Sequence, residues 1–209
     1  MDDLTFLKQS IRSEGSFPLS DSVLDKFLSL GPIEEIPPKT YIVEPGVVET
    51  SVWVTVSGVT KAVYFDGKKE FVIGFSGIGT ITISPLSFAI GKPAFCGFQT
   101  ITECKMIRIA KKDFDLLLKE SHEFARWMVG ITISQFCALE LRAQMLSEAD
   151  AFSNYKNLVK RQMKLDKDGF DPNRPNLLSM VSSKDLASYL GITQSYLSNI
   201  RKAILDSMK

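Results

Sequence analysis

Hydrophobic residues follow a helical spacing at both ends of the chain and a strand-like spacing between them. Near the start, apolar residues at positions 4, 6, 7 and 11 predict a short amphipathic helix. A second helix is predicted to begin at Ser20, which suits an N-cap, and to end at the Gly31-Pro32 pair. After Gly31 the residues become rich in β-branched types, which indicates a change from helices to strands.

The middle of the chain has the pattern of short antiparallel strands. Val52, Val54 and Val56 alternate with their neighbours at a period of two, and Asp66-Gly67 separates two apolar runs as a hairpin turn does. About eight strands are predicted, within residues 33–36, 40–43, 51–60, 63–65, 70–73, 79–83, 98–102 and 105–109. This pattern is typical of an antiparallel barrel or a jelly-roll-like domain.

Helical spacing returns at residues 112–119, and a much longer helix is predicted over residues 122–146. Alternating steps of three and four residues describe a heptad-like stripe on it, formed by Phe124, Trp127, Ile131, Ser134, Ala138, Leu141 and Met145. We interpret this stripe as the seam of a dimer helix. The alternative is that the stripe packs on the chain's own barrel. Met128, Phe136 and Leu139 supply a second apolar face, so both interpretations can hold together.

Residues 182–202 have the spacing of a helix-turn-helix. Six positions match the template, with aliphatic side chains facing inward, a small residue at the crossing and a glycine at the corner: Leu186, Ala187, Leu190, Gly191, Leu197 and Ile200. Ile192 plugs the corner, and Thr193 is placed to N-cap the second helix. A further helix over 152–163 and a polar loop over 168–175 are predicted to precede this motif.

Charge and cysteine content narrow the class of protein. The net charge is +1, but residues 1–149 carry 15 Lys and Arg against 18 Asp and Glu, whereas residues 150–209 carry 10 against 6. The positive end is therefore the end with the helix-turn-helix, as a phosphate-binding surface requires. Three scattered cysteines disfavour a disulfide framework or a metal cluster, and the absence of a long apolar run predicts a cytoplasmic protein.

These patterns predict an α+β multidomain chain. Residues 1–120 form an antiparallel β-roll or jelly-roll-like sensor domain, residues 121–149 a long dimerisation helix, and residues 150–209 a helix-turn-helix DNA-binding domain. The last domain is winged-helix-like, but we expect the wing to be absent or vestigial because the chain ends nine residues after Ile200.

The chain resembles the CRP/FNR family of transcription regulators over nearly its whole length. Segments that carry the resemblance lie at the leading helix, at two turns of the barrel, at the helix that leaves the barrel and in the helix-turn-helix: residues 20–31, 43–46, 54–58, 111–114 and 187–202. The last of these is especially like the short regulators of Bacteroides-type bacteria.

The resemblance implies a homodimer that places one recognition helix per subunit in successive major grooves. The residues it implies for base contacts are Gln194, Ser195, Tyr196 and Asn199. Those implied for phosphate contacts are Thr193, Ser198, Arg201 and Lys202, although Arg201 and Lys202 also suit a solvated helix end. Asn199 stands where the family usually carries Arg, which predicts a more A·T-leaning operator. RNA polymerase and a small-molecule effector are further candidate partners.

The sensor region departs from the cyclic-nucleotide binders of the family. The positions of their acidic residue and their phosphate-binding arginine fall on Ser84 and Ala94, and Phe95 follows. Without a cation, the desolvation of a cyclic phosphate is not compensated, so cyclic AMP is not expected to bind. The candidate effector pocket is formed by Ile83, Ser84, Leu86, Ala94, Phe95 and Phe98. It either accepts an apolar or weakly polar ligand or is filled by its own side chains.

No cofactor is predicted. An iron–sulfur centre needs a cysteine cluster, and haem ligation usually needs histidine, whereas His122 is expected to be structural or solvent-facing. Cys96 and Cys104 are expected to be buried as small apolar residues; the alternative is a redox pair on neighbouring strands.

Three functions compete at this point. A sequence-specific DNA-binding regulator is favoured. The alternative is a ligand-sensing or protein-interaction module that has lost DNA binding, which the missing arginine and wing motivate. A metal-dependent barrel enzyme is disfavoured, because such enzymes usually bind their metal through two or three histidines and the chain has one. We therefore expect no enzymatic activity.

Overall fold

A computed structural model describes residues 3–147, 150–168 and 177–206 of the 209-residue chain. The helices are α1 (Asp3–Glu14), α2 (Asp21–Leu28), α3 (Pro85–Ile90), α4 (Lys111–Glu120), α5 (His122–Ser147), α6 (Ala151–Asp168), α7 (Leu177–Met180), α8 (Ser183–Leu190) and α9 (Gln194–Asp206). The strands are β1 (Ile33–Ile36), β2 (Tyr41–Val43), β3 (Ser51–Ser57), β4 (Thr60–Asp66), β5 (Lys69–Ser76), β6 (Ile81–Thr82), β7 (Gly97–Thr100) and β8 (Cys104–Ala110). The predicted loop falls largely on residues 169–176, which lie outside the described ranges.

The strands form two four-stranded antiparallel sheets, in the orders β1-β8-β3-β6 and β2-β7-β4-β5. The predicted jelly-roll-like arrangement is confirmed, but the sheets do not close into a barrel. The predicted strand over residues 51–60 is two strands, since Gly58 turns the chain with a φ of 94° between β3 and β4. The hairpin at Asp66-Gly67 is confirmed, with Asp66 paired to Lys69.

The main hydrophobic core lies between the first sheet and the helices. Val52, Val54, Ile107 and Ile109 from β3 and β8 are buried against an aromatic cluster contributed by α2, α4 and α5. That cluster consists of Phe27, Phe114, Phe124 and Trp127, whose neighbouring ring centroids lie 5.0–6.2 Å apart. It attaches the start of α5 firmly to the sheet.

A smaller core joins the two sheets to each other. Ile42 and Val43 from β2 pack with Trp53 from β3 and Met106 from β8, and Ala94 closes the cluster from the loop before β7. Ala94 is held there by main-chain hydrogen bonds, because its N–H donates to Val47 O and its carbonyl accepts from Gly46 N, both at 2.8 Å.

Helix α3 is absent from the predicted elements because six residues are too few to show a helical period. Its ends are nevertheless well marked. Ser84 is the N-cap, Pro85 occupies the first turn and Gly91 ends the helix with a φ of 65°. None of the described helices is both long enough and apolar enough to cross a bilayer.

Gly31 is required where the turn between α2 and β1 passes β8. A Cβ on Gly31 would lie 1.9 Å from the main-chain oxygen of Arg108, whereas one on Gly74 meets no atom within 4 Å.

We predict that Gly31→Ala lowers the free energy of unfolding by about 3 kcal/mol or more, since main-chain atoms cannot move aside cheaply. Gly74→Ala, the matched control, stays within about 1 kcal/mol of the parent protein. Chemical denaturation measures both, and equal losses would contradict this packing.

Glu14, near the end of α1, carries a carboxyl whose pKa is raised by burial, an effect that a hydrogen bond from Thr80 partly offsets. A raised pKa means that folding opposes ionisation. The stability from the neutral form is complete below the unfolded-state pKa near 4.5 and is lost as the pH rises through the higher folded-state value. Gln keeps an acceptor for the Thr80 hydroxyl, which lies 3.5 Å from Glu14 Oε1.

We therefore predict that Glu14→Gln raises the melting temperature at pH 7 by about 2 °C and leaves it unchanged at pH 4. Thermal unfolding at the two pH values measures the difference. The control is Glu103→Gln, which neutralises an exposed carboxylate and should shift neither temperature. A Glu14→Gln variant that melts at a lower temperature than the parent protein at pH 7, but at the same temperature at pH 4, would contradict the burial argument.

Candidate nucleic-acid interface

The first helix of the predicted motif, α8, begins at a side-chain cap. Ser182 Oγ accepts a hydrogen bond from Asp185 N at 3.0 Å and donates to Asp185 Oδ2 at 2.9 Å. The pair thus satisfies a main-chain donor at the helix start and places a carboxylate at the positive end of the helix dipole.

The corner between α8 and α9 has the predicted geometry. Gly191 adopts a left-handed conformation with φ 70° and ψ 26°, and Ile192 N donates to Ala187 O at 3.0 Å. Thr193 Oγ1 then accepts from Tyr196 N at 3.2 Å, which confirms Thr193 as the cap of α9.

The predicted inward positions form the core of this unit. Leu186, Ala187, Leu190, Leu197 and Ile200 are buried, and Ile192 is half-buried at the corner. The helix-turn-helix is therefore present as a packed structure, with a defined inner face and a defined outer face.

The outer face of α9 carries the side chains predicted to contact bases. Gln194, Ser195 and Asn199 are exposed, and Tyr196 is 48% exposed beside them. Among the predicted phosphate contacts, Thr193, Ser198 and Lys202 are exposed as well. Amide and hydroxyl groups thus dominate the surface of the first two turns of α9, and Lys202 lies further along the helix.

Arg201 differs from the other predicted phosphate contacts. Its Nη1 donates to Ser183 Oγ at 2.8 Å and its Nε to Tyr155 Oη at 3.3 Å, so it ties α9 to α8 and α6. Sequence reasoning missed this internal role, since Tyr155 lies 46 residues away. Contact between Arg201 and a DNA phosphate stays a prediction.

The candidate effector residues lie in different packing environments. Ile83 packs with the main core, Ala94 and Phe98 belong to the smaller core, and Leu86 and Phe95 face outward. Ser84 is buried and bonded to Ser87, with 3.1 Å between their hydroxyl oxygens. Four of the six members thus take part in the chain's own packing, which fits the alternative of a region filled by its own side chains, and a role in effector binding stays a prediction.

An aromatic stack that the sequence pattern did not predict joins Phe95 to two rings of the β4–β5 hairpin. Tyr64 lies parallel to Phe71 at 4.9 Å between ring centroids and to Phe95 at 6.1 Å. Phe95 is 70% exposed and forms the outer end of the stack. The position that follows the family's phosphate-binding arginine therefore carries a ring that stacks on β4.

A cavity of about 310 Å³ opens elsewhere in the β-roll. It is lined by Tyr41, Ile42, Glu44, Val47, Glu49, Trp53 and Arg108. The Arg108 guanidinium lies 5.2 Å from the Trp53 ring centroid, and Nε donates to Ser51 Oγ at 3.0 Å. Sequence reasoning missed this cavity because it depends on the pairing of Trp53 with Arg108 across β3 and β8.

The predicted dimer stripe on α5 is corrected in its first half. Phe124, Trp127 and Ile131 are buried in the main core, so they face the chain's own sheet. Ser134 is half-buried, Ala138 and Leu141 are exposed, and Met145 packs against the helix-turn-helix core. The alternative interpretation, packing on the chain's own domain, therefore holds for the residues that begin the stripe.

The opposite side of α5 is apolar and exposed. Its side chains follow steps of three, four or seven residues and are Val129, Ile133, Phe136, Leu139 and Leu146. Phe136 is 61% exposed, and Phe136 and Leu139 belong to the second apolar face that the sequence shows. An exposed apolar stripe of this length is typical of an interaction surface.

The three cysteines are free. Cys104 lies on β8 and Cys96 precedes β7, and these two strands belong to different sheets. The redox-pair alternative is wrong in placing them on neighbouring strands. Cys104 is buried, as expected of a small apolar residue, whereas Cys96 is only half-buried. Desolvation raises the pKa of both thiols. His122 is exposed, as predicted, and within the described ranges no three His, Cys, Asp or Glu side chains converge.

Comparison with known proteins identifies the architecture by structure alone. No family model matches the sequence, and no curated protein is similar to it. Among solved structures, FixK2 of Bradyrhizobium japonicum has a TM-score of 0.71 at 12% identity, over 85% of this chain and 85% of that chain. The c-di-GMP-responsive global regulator CLP of Xanthomonas campestris has a TM-score of 0.69 at 17% identity, over 90% of this chain and 93% of that chain.

A CooA variant of Carboxydothermus hydrogenoformans is similar too, with a TM-score of 0.69 at 16% identity over 91% of this chain and 87% of that chain. At these identities the likeness concerns the fold, and it covers 85–91% of this chain. The chain has the fold of the CRP/FNR transcription regulators.

Proposed function

We propose that this chain is a sequence-specific DNA-binding transcription regulator, that it acts as a homodimer, and that its β-roll domain does not respond to cyclic AMP. The observation that carries the proposal is the outer face of α9, where exposed Gln194, Ser195 and Asn199 lie on a helix whose other face is buried. The regulators that share this fold support it.

Helix α9 suits the major groove in size and chemistry. Its 13 residues span about 20 Å, and a groove about 12 Å wide admits one helix. Gln194 and Asn199 each carry an amide that can pair with both adenine N6 and N7, whereas Arg, the usual partner of guanine, is absent from these positions. We therefore propose an operator that is richer in A·T pairs at the contacted positions.

Phosphate contacts would fix the protein on the duplex without reading its sequence. Thr193 and Ser198 carry exposed hydroxyl groups at the start of α9 and one turn into it. Lys202 supplies a positive charge about two turns after the start of the helix. The surplus of Lys and Arg in residues 150–209 adds to the attraction for DNA.

The exposed stripe on α5 is the proposed dimer surface. An α-helix of 26 residues spans about 39 Å, long enough for a paired helix to bury the stripe from Val129 to Leu146. A two-fold axis along this pair would present two copies of α9 to successive half-sites, which a symmetric operator requires.

Cyclic AMP lacks its usual partners in this β-roll. Ala94 is buried where a phosphate-binding cation would stand, and Ser84, at the acidic position, is already bonded to Ser87. The phosphate of cyclic AMP would enter this region without a compensating charge. We propose that any effector of this domain is not a cyclic nucleotide bound in the family's usual manner.

The test of DNA reading compares two variants of α9. Asn199→Ala is predicted to remove about 1–3 kcal/mol of discrimination at one base position and so to relax the selected operator there. Lys202→Ala, the matched control, is predicted to weaken all sequences alike and to reduce the salt slope by about one. Binding-site selection and titration at several salt concentrations measure both. An unchanged base preference in Asn199→Ala would contradict the contact assignment.

The test of the dimer surface places the same charge on two sides of α5. Phe136→Glu lies on the exposed apolar stripe, and Ala138→Glu lies at an exposed position on another side of the helix, outside that stripe. We predict that Phe136→Glu weakens the dimer at least about 100-fold, because each copy loses a buried aromatic side chain, and that Ala138→Glu leaves it intact. Sedimentation measures the masses. A monomeric Ala138→Glu variant with a dimeric Phe136→Glu variant would contradict the assignment.

A further inference from the structure

Helix α8 lies along β5, the outer strand of the second sheet. An outer strand has main-chain groups on its free side that need partners. Here the DNA-binding unit supplies one of them, because Val72 N donates to Ser188 Oγ at 3.0 Å. The carbonyl of Val72 accepts from Arg142 Nη2 of α5 at 3.0 Å. One residue of β5 is thus bonded to both the long helix and the helix-turn-helix.

Lys61 joins the two units through charge. Its Nζ lies 2.6 Å from Glu70 Oε1 on β5 and 3.1 Å from Asp185 Oδ1 on α8. The side chains of Lys61 and Asp185 are only 10% and 15% exposed, so water screens the pair weakly. Burial lowers the pKa of Lys61, but hydrogen bonds and charges from Glu70 and Asp185 outweigh it and raise the pKa above its usual value.

Apolar packing surrounds these polar contacts. Tyr189 of α8 lies 5.4 Å from Phe75 of β5, between ring centroids, and the Arg142 guanidinium lies 4.3 Å from the centroid of Tyr189. Phe75 and Ile101 pack against the buried core of the helix-turn-helix. The contact is therefore a continuous surface and not a single ion pair.

The base-contacting face of α9 stays open in this docked arrangement, since Gln194, Ser195 and Asn199 are exposed. We propose that the Lys61–Asp185 ion pair and the Ser188–Val72 hydrogen bond hold the helix-turn-helix in a DNA-competent direction, and that they couple the β4–β5 hairpin to operator binding. This inference rests on the proposed function. When the helix-turn-helix of each subunit is already held in place, less conformational freedom is lost on binding DNA. The dimer then contacts its two half-sites together more readily.

Asp185→Asn breaks the ion pair with little change to α8 itself. The Asp185 main-chain N–H still donates to Ser182 Oγ, and the amide oxygen can still accept from that hydroxyl. Removing a negative charge would by itself strengthen DNA binding. Weaker binding by Asp185→Asn would therefore run against simple electrostatics, which makes it diagnostic. Asp66→Asn, at the exposed turn of the same hairpin, is the control with an equal change in charge.

The first measurement follows amide hydrogen exchange at Val72 in the free protein. We expect slow exchange in the parent chain and in Asp66→Asn, and at least about tenfold faster exchange in Asp185→Asn and Ser188→Ala. This measurement needs no DNA, so it tests docking separately from function. Equal exchange at Val72 in all four proteins would overturn the proposed contact.

The second measurement compares the affinity for a two-fold symmetric operator with that for a single half-site. We expect Asp185→Asn to bind the full operator about tenfold more weakly and the half-site unchanged. Unchanged or tighter full-site binding, with faster Val72 exchange, would overturn the positioning role. A third outcome is that the parent protein selects no operator, although amide exchange at Val72 still differs between the variants. The proposed function and the positioning role would then both be wrong, and the docking contact would remain supported.

Discussion

The rotation of α5 about its own axis is the constraint on which the other features depend. Phe124, Trp127 and Ile131 must be buried against the first sheet, and Gly130 lets the helix pass close to residues 16 and 17, where a Cβ would lie 2.9 Å from Phe17 Cδ2. Ser20 adds a polar tie, since its Oγ donates to Glu123 Oε2 at 2.9 Å. With these contacts made, α5 has no freedom to turn.

That rotation has consequences at the far end of the helix. It leaves the stripe that includes Ile133 and Phe136 facing outward, and it directs Arg142 toward Val72 and Met145 toward the helix-turn-helix core. The helix-turn-helix therefore docks where α5 and the free side of β5 meet. A change of packing in the β-roll can reach α9 through these contacts, whereas a flexible connection would not transmit it.

Local signals were readable from the sequence, and contacts between distant segments were not. The helix-turn-helix was predictable because Ser182, Gly191 and Thr193 act on their immediate neighbours, and the Asp66-Gly67 hairpin for the same reason. The side of α5 that packs on the first sheet was not predictable, because both sides of this helix are apolar. The heptad pattern favoured a dimer seam where the structure has residues buried against the sheet. The link between Lys61 and Asp185 spans 124 residues, and no periodicity records such a pair. For the candidate effector residues, closeness in sequence does not say which side chains share a surface: Ile83, Ala94 and Phe98 pack in two different cores, and Phe95 faces outward.

Selection of binding sites from random DNA duplexes by the purified protein, at two salt concentrations, tests whether this chain reads DNA. We predict a two-fold symmetric site whose half-site centres lie about one helical turn apart. We also predict A·T pairs at the positions that Gln194 and Asn199 contact, and an affinity that falls steeply with salt. Enrichment of no sequence at either salt concentration, by a protein that is dimeric and folded, would contradict the proposal that this chain reads DNA.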